Sequence, residues 1–188
     1  MKKFKLLFLL TTFLATGTCA FAQSRIMLIY KDDNVVNIID VSRIDSIKFV
    51  TNKELILQIK ERAVDTLTIG SNRLVLDAFL WRNFAPISLP SEQAMASVNW
   101  LFSINMVKIP NSIRMVRQYV IYEDEIWVAE YEGDAPSARS DYMIERISRN
   151  GPKWDPGIYA DVISQIHDSQ NNKDYYIRLK NVFLERAD

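Results

Sequence analysis

The chain is short of the residues that do most redox, metal and acid–base chemistry. In 188 residues there is one cysteine, Cys19, and one histidine, His167. Cys19 falls inside the N-terminal stretch read below as an export signal. The remainder therefore has no thiol for disulfides or thiol chemistry. One histidine and no thiol cannot supply the nitrogen and sulfur ligands of a zinc site. A Ser-His-Asp triad would have to use His167, and no nucleophile-elbow sequence accompanies it. Neither charge sign is in excess, with 23 basic and 23 acidic residues. Without its first 22 residues the chain carries net −3, a poor balance for tracking nucleic-acid phosphates.

Residues 1–22 read as a secretory signal. Lys2, Lys3 and Lys5 form a positive start, Leu6 to Leu14 an apolar run, and Ala20-Phe21-Ala22 an A-x-A cleavage site. The apolar run is too short to span a membrane. A lipid anchor at Cys19 is the rival reading. Thr16 and Thr18 stand where a lipobox wants an aliphatic and a small residue, so cleavage after Ala22 is preferred. The expected location is exported: periplasmic, cell-surface or extracellular.

Residues 23–72 read as a small β module. Ile26–Lys31 is a strand, Asp32-Asp33-Asn34 a turn, and Val35–Asp40 the returning strand. Leu55–Lys60 and Val64–Ile69 read as a worn second copy of that hairpin, and Gly70-Ser71-Asn72 as the boundary of the next domain. The segment ends Ile44-Asp45-Ser46-Ile47-Lys48-Phe49. That ending resembles an I-D-S-I-x-F β motif at the start of exported proteins of Bacteroidetes-type bacteria. The resemblance implies export and lineage, and no chemistry.

In residues 73–188 alternation dominates. Ala96, Val98, Trp100, Phe102 and Ile104 are apolar at every second position, and Ile158, Ala160, Val162, Ser164 and Ile166 form a mostly apolar face. Strands are expected at 74–82, 142–148, 158–166, 175–180 and 182–186, with hairpins across Glu123-Asp124 and across 168–173. No amphipathic helix is expected after the signal; the nearest approach is a turn at Ser91–Ala94. The fold class is therefore all-β: an immunoglobulin-like antiparallel β-sandwich at 73–188, preceded by the small N-terminal β-hairpin module.

Two of the five glycines, two of the six prolines and a tryptophan are packed into Arg149-Asn150-Gly151-Pro152-Lys153-Trp154-Asp155-Pro156-Gly157. Proline fixes φ and removes a ladder donor, so a stiff loop between two strands is expected there. Trp154 either folds back to cap the core or, flanked by Arg149, Lys153 and Asp155, forms a ligand platform. Leu80-Trp81-Arg82-Asn83-Phe84-Ala85-Pro86, this loop and the ending Glu185-Arg186-Ala187-Asp188 together resemble an uncharacterised family of exported bacterial proteins with L-W-R-D-F-x-P and D-G-P-K-W-G-P-G motifs. The chain departs from those motifs at Asn83, Asn150 and Asp155. The resemblance implies no activity.

The speculative ligand-binding residues are Trp154, Arg149, Lys153, Asp155, Trp81 and Arg82. No catalytic residue, metal site or cofactor is assigned. Glu123-Asp124-Glu125 has the carboxylates for Ca²⁺ but reads as a solvated hairpin tip without an EF-hand pattern. The function expected is a non-catalytic binding or interaction protein of the bacterial cell envelope, with an envelope protein or a glycan as partner and no nucleic acid. The alternatives are a carboxylate-dependent glycan-active enzyme and a structural partner in an envelope assembly.

Overall fold

The computed structural model describes residues 26–31, 34–40, 50–85, 93–137 and 140–188. They belong to two units, Met1–Phe49 and Val50–Asp188. The export signal, Cys19 and the Ile44–Phe49 ending lie outside the described residues, as do Pro86 and the first half of the Ser91–Ala94 turn. In the first unit β1 (Ile26–Lys31) pairs antiparallel with β2 (Asn34–Asp40), closing at Lys31↔Asn34, with an irregularity between Ile29 and Tyr30. This is the hairpin that the Asp-Asp-Asn turn predicts.

The second unit opens with a helix, α1 (Asn52–Arg62), where the sequence reading placed a strand. Thr51 and Glu54 cap it reciprocally: the Thr51 hydroxyl accepts from the Glu54 amide at 3.2 Å, and the Glu54 carboxylate accepts from the Thr51 amide at 2.9 Å. Ile56 and Ile59, one turn apart, are its buried residues. The short β3 (Ala63–Val64) pairs with the strand Lys173–Ala187 and β4 (Leu67–Ile69) with the strand Asn72–Asn83, so no second hairpin copy forms. The expected boundary at 72 is corrected with it. The division falls after Phe49, because α1, β3 and β4 pack on or pair with the main sheet.

The remaining strands are β5 (Asn72–Asn83), β6 (Met95–Ser103), β7 (Ile113–Tyr122), β8 (Glu125–Glu130), β9 (Glu132–Ser137), β10 (Met143–Gly151), β11 (Tyr159–Asp168) and β12 (Lys173–Ala187). Among the described residues the fold is all-β apart from α1, and both expected hairpins, β7–β8 and β11–β12, are present. The immunoglobulin-like arrangement is not confirmed. The strands form one path, β8-β7-β11-β12-β5-β6-β10-β9, and the β12–β5 pairing is parallel.

This path curls on itself. Its two terminal strands, β8 and β9, are consecutive in the chain and separated only by Tyr131. One extended segment thus pairs with β7 through its first half and with β10 through its second, which joins the two ends of the path. β12 makes a similar switch: Lys173–Phe183 pairs with β11, and Leu184–Ala187 with β5. Asn181, at φ +57°, and a register shift opposite it bend the strand between partners. The expected separate strands at 175–180 and 182–186 are therefore one strand with a bend.

The main core lies inside the curl and includes Leu74, Leu80, Leu101, Val162, Ile166, Ile177 and Leu184, all fully buried. A second cluster lies outside it, where Ile56, Ile59 and Ala63 cover Tyr119, Ile121 and Ile163. This cover explains why Gln118 to Ile121 form an unbroken buried run on β7 rather than alternating. Among the described residues, no helix is long and apolar enough to cross a membrane.

Gly151 of β10 lies tightly between Met95 of β6 and Trp127 of β8. A Cβ there would stand 3.0 Å from both the Met95 carbonyl oxygen and the Trp127 ring. Gly151→Ala is accordingly expected to cost about 1–3 kcal/mol through overpacking, measured as a lower urea midpoint with an unchanged slope.

Candidate functional site

The face of β6 expected to be apolar is not the one that points inward. Ser97, Asn99, Leu101 and Ser103 are buried, while Val98, Trp100 and Phe102 are half-buried on the outside. Alternation gives the period of a strand and not its side. Polar groups are therefore carried into the interior at regular positions. Ser97 stands opposite Ser148, Asn99 opposite Arg146, and Gln118 opposite Ser164. All six are buried. They form a polar band within an interior otherwise filled by apolar residues, among them Leu80, Leu101, Val120, Ile144 and Leu184.

Burying such groups is costly unless they are paired. The Gln118 Oε1 accepts from Ser97 Oγ at 2.6 Å and from Asn99 Nδ2 at 2.6 Å, so Gln118 ties β7 to β6 across the interior. Ser148 Oγ donates to the Glu130 carbonyl at 3.1 Å. The Tyr131 hydroxyl, at the seam, lies 2.5 Å from Ser164 Oγ. Burial pushes the Tyr131 phenol well above its ordinary value, against the pull of the Ser164 hydrogen bond and the positive field of Arg146. Two amide atoms, Asn99 Oδ1 and Gln118 Nε2, have no hydrogen-bond partner. Exchanging O and N in both amides would move the unmatched ends without removing them.

The band lies below an open mouth. A cavity of about 360 Å³ is lined there by Lys108, Ile109, Pro110, Asn111, Ile113, Arg114, Ser140, Asp141, Met143, Ile144 and Arg146. Arg146 thus belongs both to the cavity and to the polar band. Lys108 and Asp141 form an exposed ion pair at 3.5 Å on the rim. The rim is held by the Ile109 amide donating to the Asp141 carbonyl at 2.8 Å. Beside it, Asp168 accepts from the Gln170 amide at 3.0 Å and from Asn171 Nδ2 at 2.6 Å, which fixes the β11–β12 turn.

The speculative ligand-binding residues lie at the opposite end, and the structure shares them out. Arg82 is buried. Its Nε donates to the Gln93 carbonyl at 2.7 Å, and its Nη1 to the carbonyls of Lys153 and Trp154 at 3.1 and 2.8 Å. The two stretches that carried the resemblance are therefore in contact, with the arginine of one holding the backbone of the other. Trp154 is half-buried against the core. It meets Tyr122 at 5.6 Å, and its Nε1 donates to Glu125 at 2.5 Å. Trp81 follows the opposite alternation and stacks outside on Phe79 at 5.4 Å. Arg149 is paired with Glu132, while Lys153 and Asp155 are exposed. Arg82, Lys153 and Trp154 are thus brought together, and Trp81 and Arg149 are directed elsewhere.

The motif departures have a conformational explanation. Asn150 has φ +63°, a conformation that Asn and Asp tolerate better than most residues, and Asn83 Oδ1 accepts from the Ala85 amide at 3.0 Å. An Asp would suit either place, so neither position points to a ligand. His167 Nδ1 is 2.8 Å from Asp174 Oδ1 on the outer face. Among the described residues, no three His, Cys, Asp or Glu side chains form a group that could hold a metal ion.

No protein family matches this chain, and neither does any curated protein or solved structure.

Sequence reasoning missed Ser97, Asn99, Gln118, Tyr131, Arg146, Ser148 and Ser164 as a group. The available signal was the recurrence of small and amide residues at every second position of otherwise apolar strands.

Gln118→Leu is expected to cost about 2–3 kcal/mol, since it strips Ser97 and Asn99 of their shared acceptor; urea unfolding measures it. A second expectation concerns acid. The Asn171 hydrogen bond, helped by the Gln170 amide and Ser112, holds the Asp168 carboxyl below its ordinary value against the opposing effect of burial. A carboxyl depressed in the folded state stabilises above its unfolded-state value, and that contribution fades as pH falls through the depressed one. Thermal midpoints of Asp168→Asn should therefore fall less steeply below pH 4 than those of the parent; an equally steep fall would contradict this role.

Proposed function

We propose that this chain is an exported, non-catalytic binding protein of the bacterial cell envelope, and that it holds its ligand in the mouth of the curled sheet. One observation carries the reading. A cavity of about 360 Å³ leads from the rim to a buried polar band that includes Arg146. Concave, mostly apolar pockets with a few convergent polar groups are the usual form of small-molecule sites. The Lys2-Lys3-Lys5, Leu6–Leu14 and Ala20–Ala22 pattern supports export.

The carboxylate-enzyme alternative needs two acids facing each other. The three described cavities carry one each, Asp141, Asp168 and Asp174. The interaction alternative has one observation in its favour. On the outer face Phe79 stacks with Trp81, and Tyr159 meets Phe183 at 5.2 Å, with Phe79, Tyr159 and Phe183 all exposed. Such rings could stack on sugar rings or on an envelope protein.

Thermal unfolding of the exported chain against small acids, sugars and Ca²⁺ separates these readings. Ligand at 100 times its Kd should stabilise the chain by about 2.7 kcal/mol. The mouth reading expects a saturable rise that is lost in Ile144→Phe, which fills the cavity, and kept in Trp81→Ala. The reverse pattern would transfer function to the outer aromatic face.

A further inference from the structure

We infer that the outer face of the sheet is a second binding site, for a neutral glycan chain laid across β11, β12, β5, β6 and β10. This inference goes beyond the mouth reading and does not rest on it. Strand register builds the site. Tyr159 pairs with Phe183, Phe79 with Val98, and Val98 with Ile147. Carrying the parallel register of Leu184↔Leu80 back by one residue sets Phe183 beside Phe79. Five apolar side chains thus stand in one row across five adjacent strands, over about 19 Å at the usual strand spacing. The row lies on the outward side, where Tyr159 is 61 %, Phe183 43 % and Phe79 38 % exposed. Trp81 adds a further ring by stacking on Phe79 at 5.4 Å, 21° from parallel.

The neighbouring rows bring carboxylates to its edges. On one side Asp77 stands opposite Trp100 and Trp100 opposite Glu145, with the indole Nε1 donating to the Glu145 carboxylate at 2.6 Å. On the other side Glu185 stands opposite Trp81. Asp77 and Glu185 are exposed and take part in no ion pair among the described residues. A pyranose ring matches this arrangement. Its C–H face packs on an aromatic ring, and the hydroxyls round its edge donate to carboxylates. The same carboxylates repel an acidic glycan.

Width decides against a protein partner. One apolar row edged by carboxylates falls well short of the ~20–30 residues a side that a stable interface uses. Shape decides against a compact small molecule, since none of these rings lines a described cavity. An extended chain of sugar rings fits a long, narrow, open row.

The test is calorimetric titration of the exported chain with neutral hexasaccharides of glucose, mannose, xylose and N-acetylglucosamine, alongside glucose, a galacturonate hexamer and pentalysine. At least one neutral hexasaccharide should bind saturably and about 10-fold or more tighter than glucose, because several rings engage at once. Tyr159→Ala, Phe183→Ala and Phe79→Ala remove exposed rings and leave the core in place. Each should weaken that hexasaccharide by about 3- to 10-fold, with a thermal midpoint near that of the parent. Val128→Ala, at an exposed apolar residue of β8, should leave it unchanged.

Pentalysine binding more tightly than every neutral hexasaccharide, and released by Phe79→Ala, would overturn the glycan in favour of a basic protein segment. Tightest binding by the galacturonate hexamer would overturn its neutrality. Hexasaccharide binding untouched by all three ring variants would overturn the outer face as the site; if Ile144→Phe abolished it instead, the sugar would belong to the mouth. No binding by any of the compounds would overturn the inference outright.

Discussion

The structure depends on one geometrical constraint: a single extended segment, Glu125–Ser137, serves as both ends of the sheet. Pairing with β7 on one side of Tyr131 and with β10 on the other, it turns an open path of strands into a curl with an inside and an outside. It also creates an interior from which water is excluded, so every polar atom carried inward needs a partner there. The Gln118–Ser97–Asn99 and Tyr131–Ser164 bonds meet much of that requirement across the space the closure creates, with Asn99 Oδ1 and Gln118 Nε2 left unmatched.

The two ends of the curl are built differently. At one end Arg82 holds the Lys153 and Trp154 carbonyls, and the loop is fastened further by the Gly157 amide donating to the Leu184 carbonyl. Proline, tryptophan and a buried guanidinium make this end rigid and filled. At the other end the 104–112 and 140–142 connections leave a recess with a charged rim and an apolar wall. The stretch most conspicuous in sequence is a plug, and the recess is formed by connections with no marked composition. Rigid closure at one end allows a cavity at the other without loss of a packed core, since the buried apolar cluster remains intact around the polar band.

Hairpins and strand periods were legible because they are local. Ile113–Tyr122 and Glu125–Glu130 pair across their two-residue turn as their alternation indicates. The helix was missed although Thr51 and Glu54 spell a capping box, because Leu55–Ile59 also fits a short strand when burial is unknown. The site was missed for a related reason. On β6 two rows alternate, one of Val98, Trp100 and Phe102 and one of Ser97, Asn99 and Ser103. Only the partners brought up by β7 and β10 determine which row is enclosed.

The sequence by itself determined the all-β class, the turns and the stiff loop around Trp154, since these follow from side-chain period and from the φ restrictions of proline, glycine and asparagine. The tertiary structure alone decided that Glu125–Ser137 closes the sheet, that Arg82 grips the loop, and that Arg146 stands at the base of a cavity beside Asn99. Those are contacts between positions tens of residues apart. They depend on which strands become neighbours, a choice set by the packing of the whole interior and not by any stretch within it.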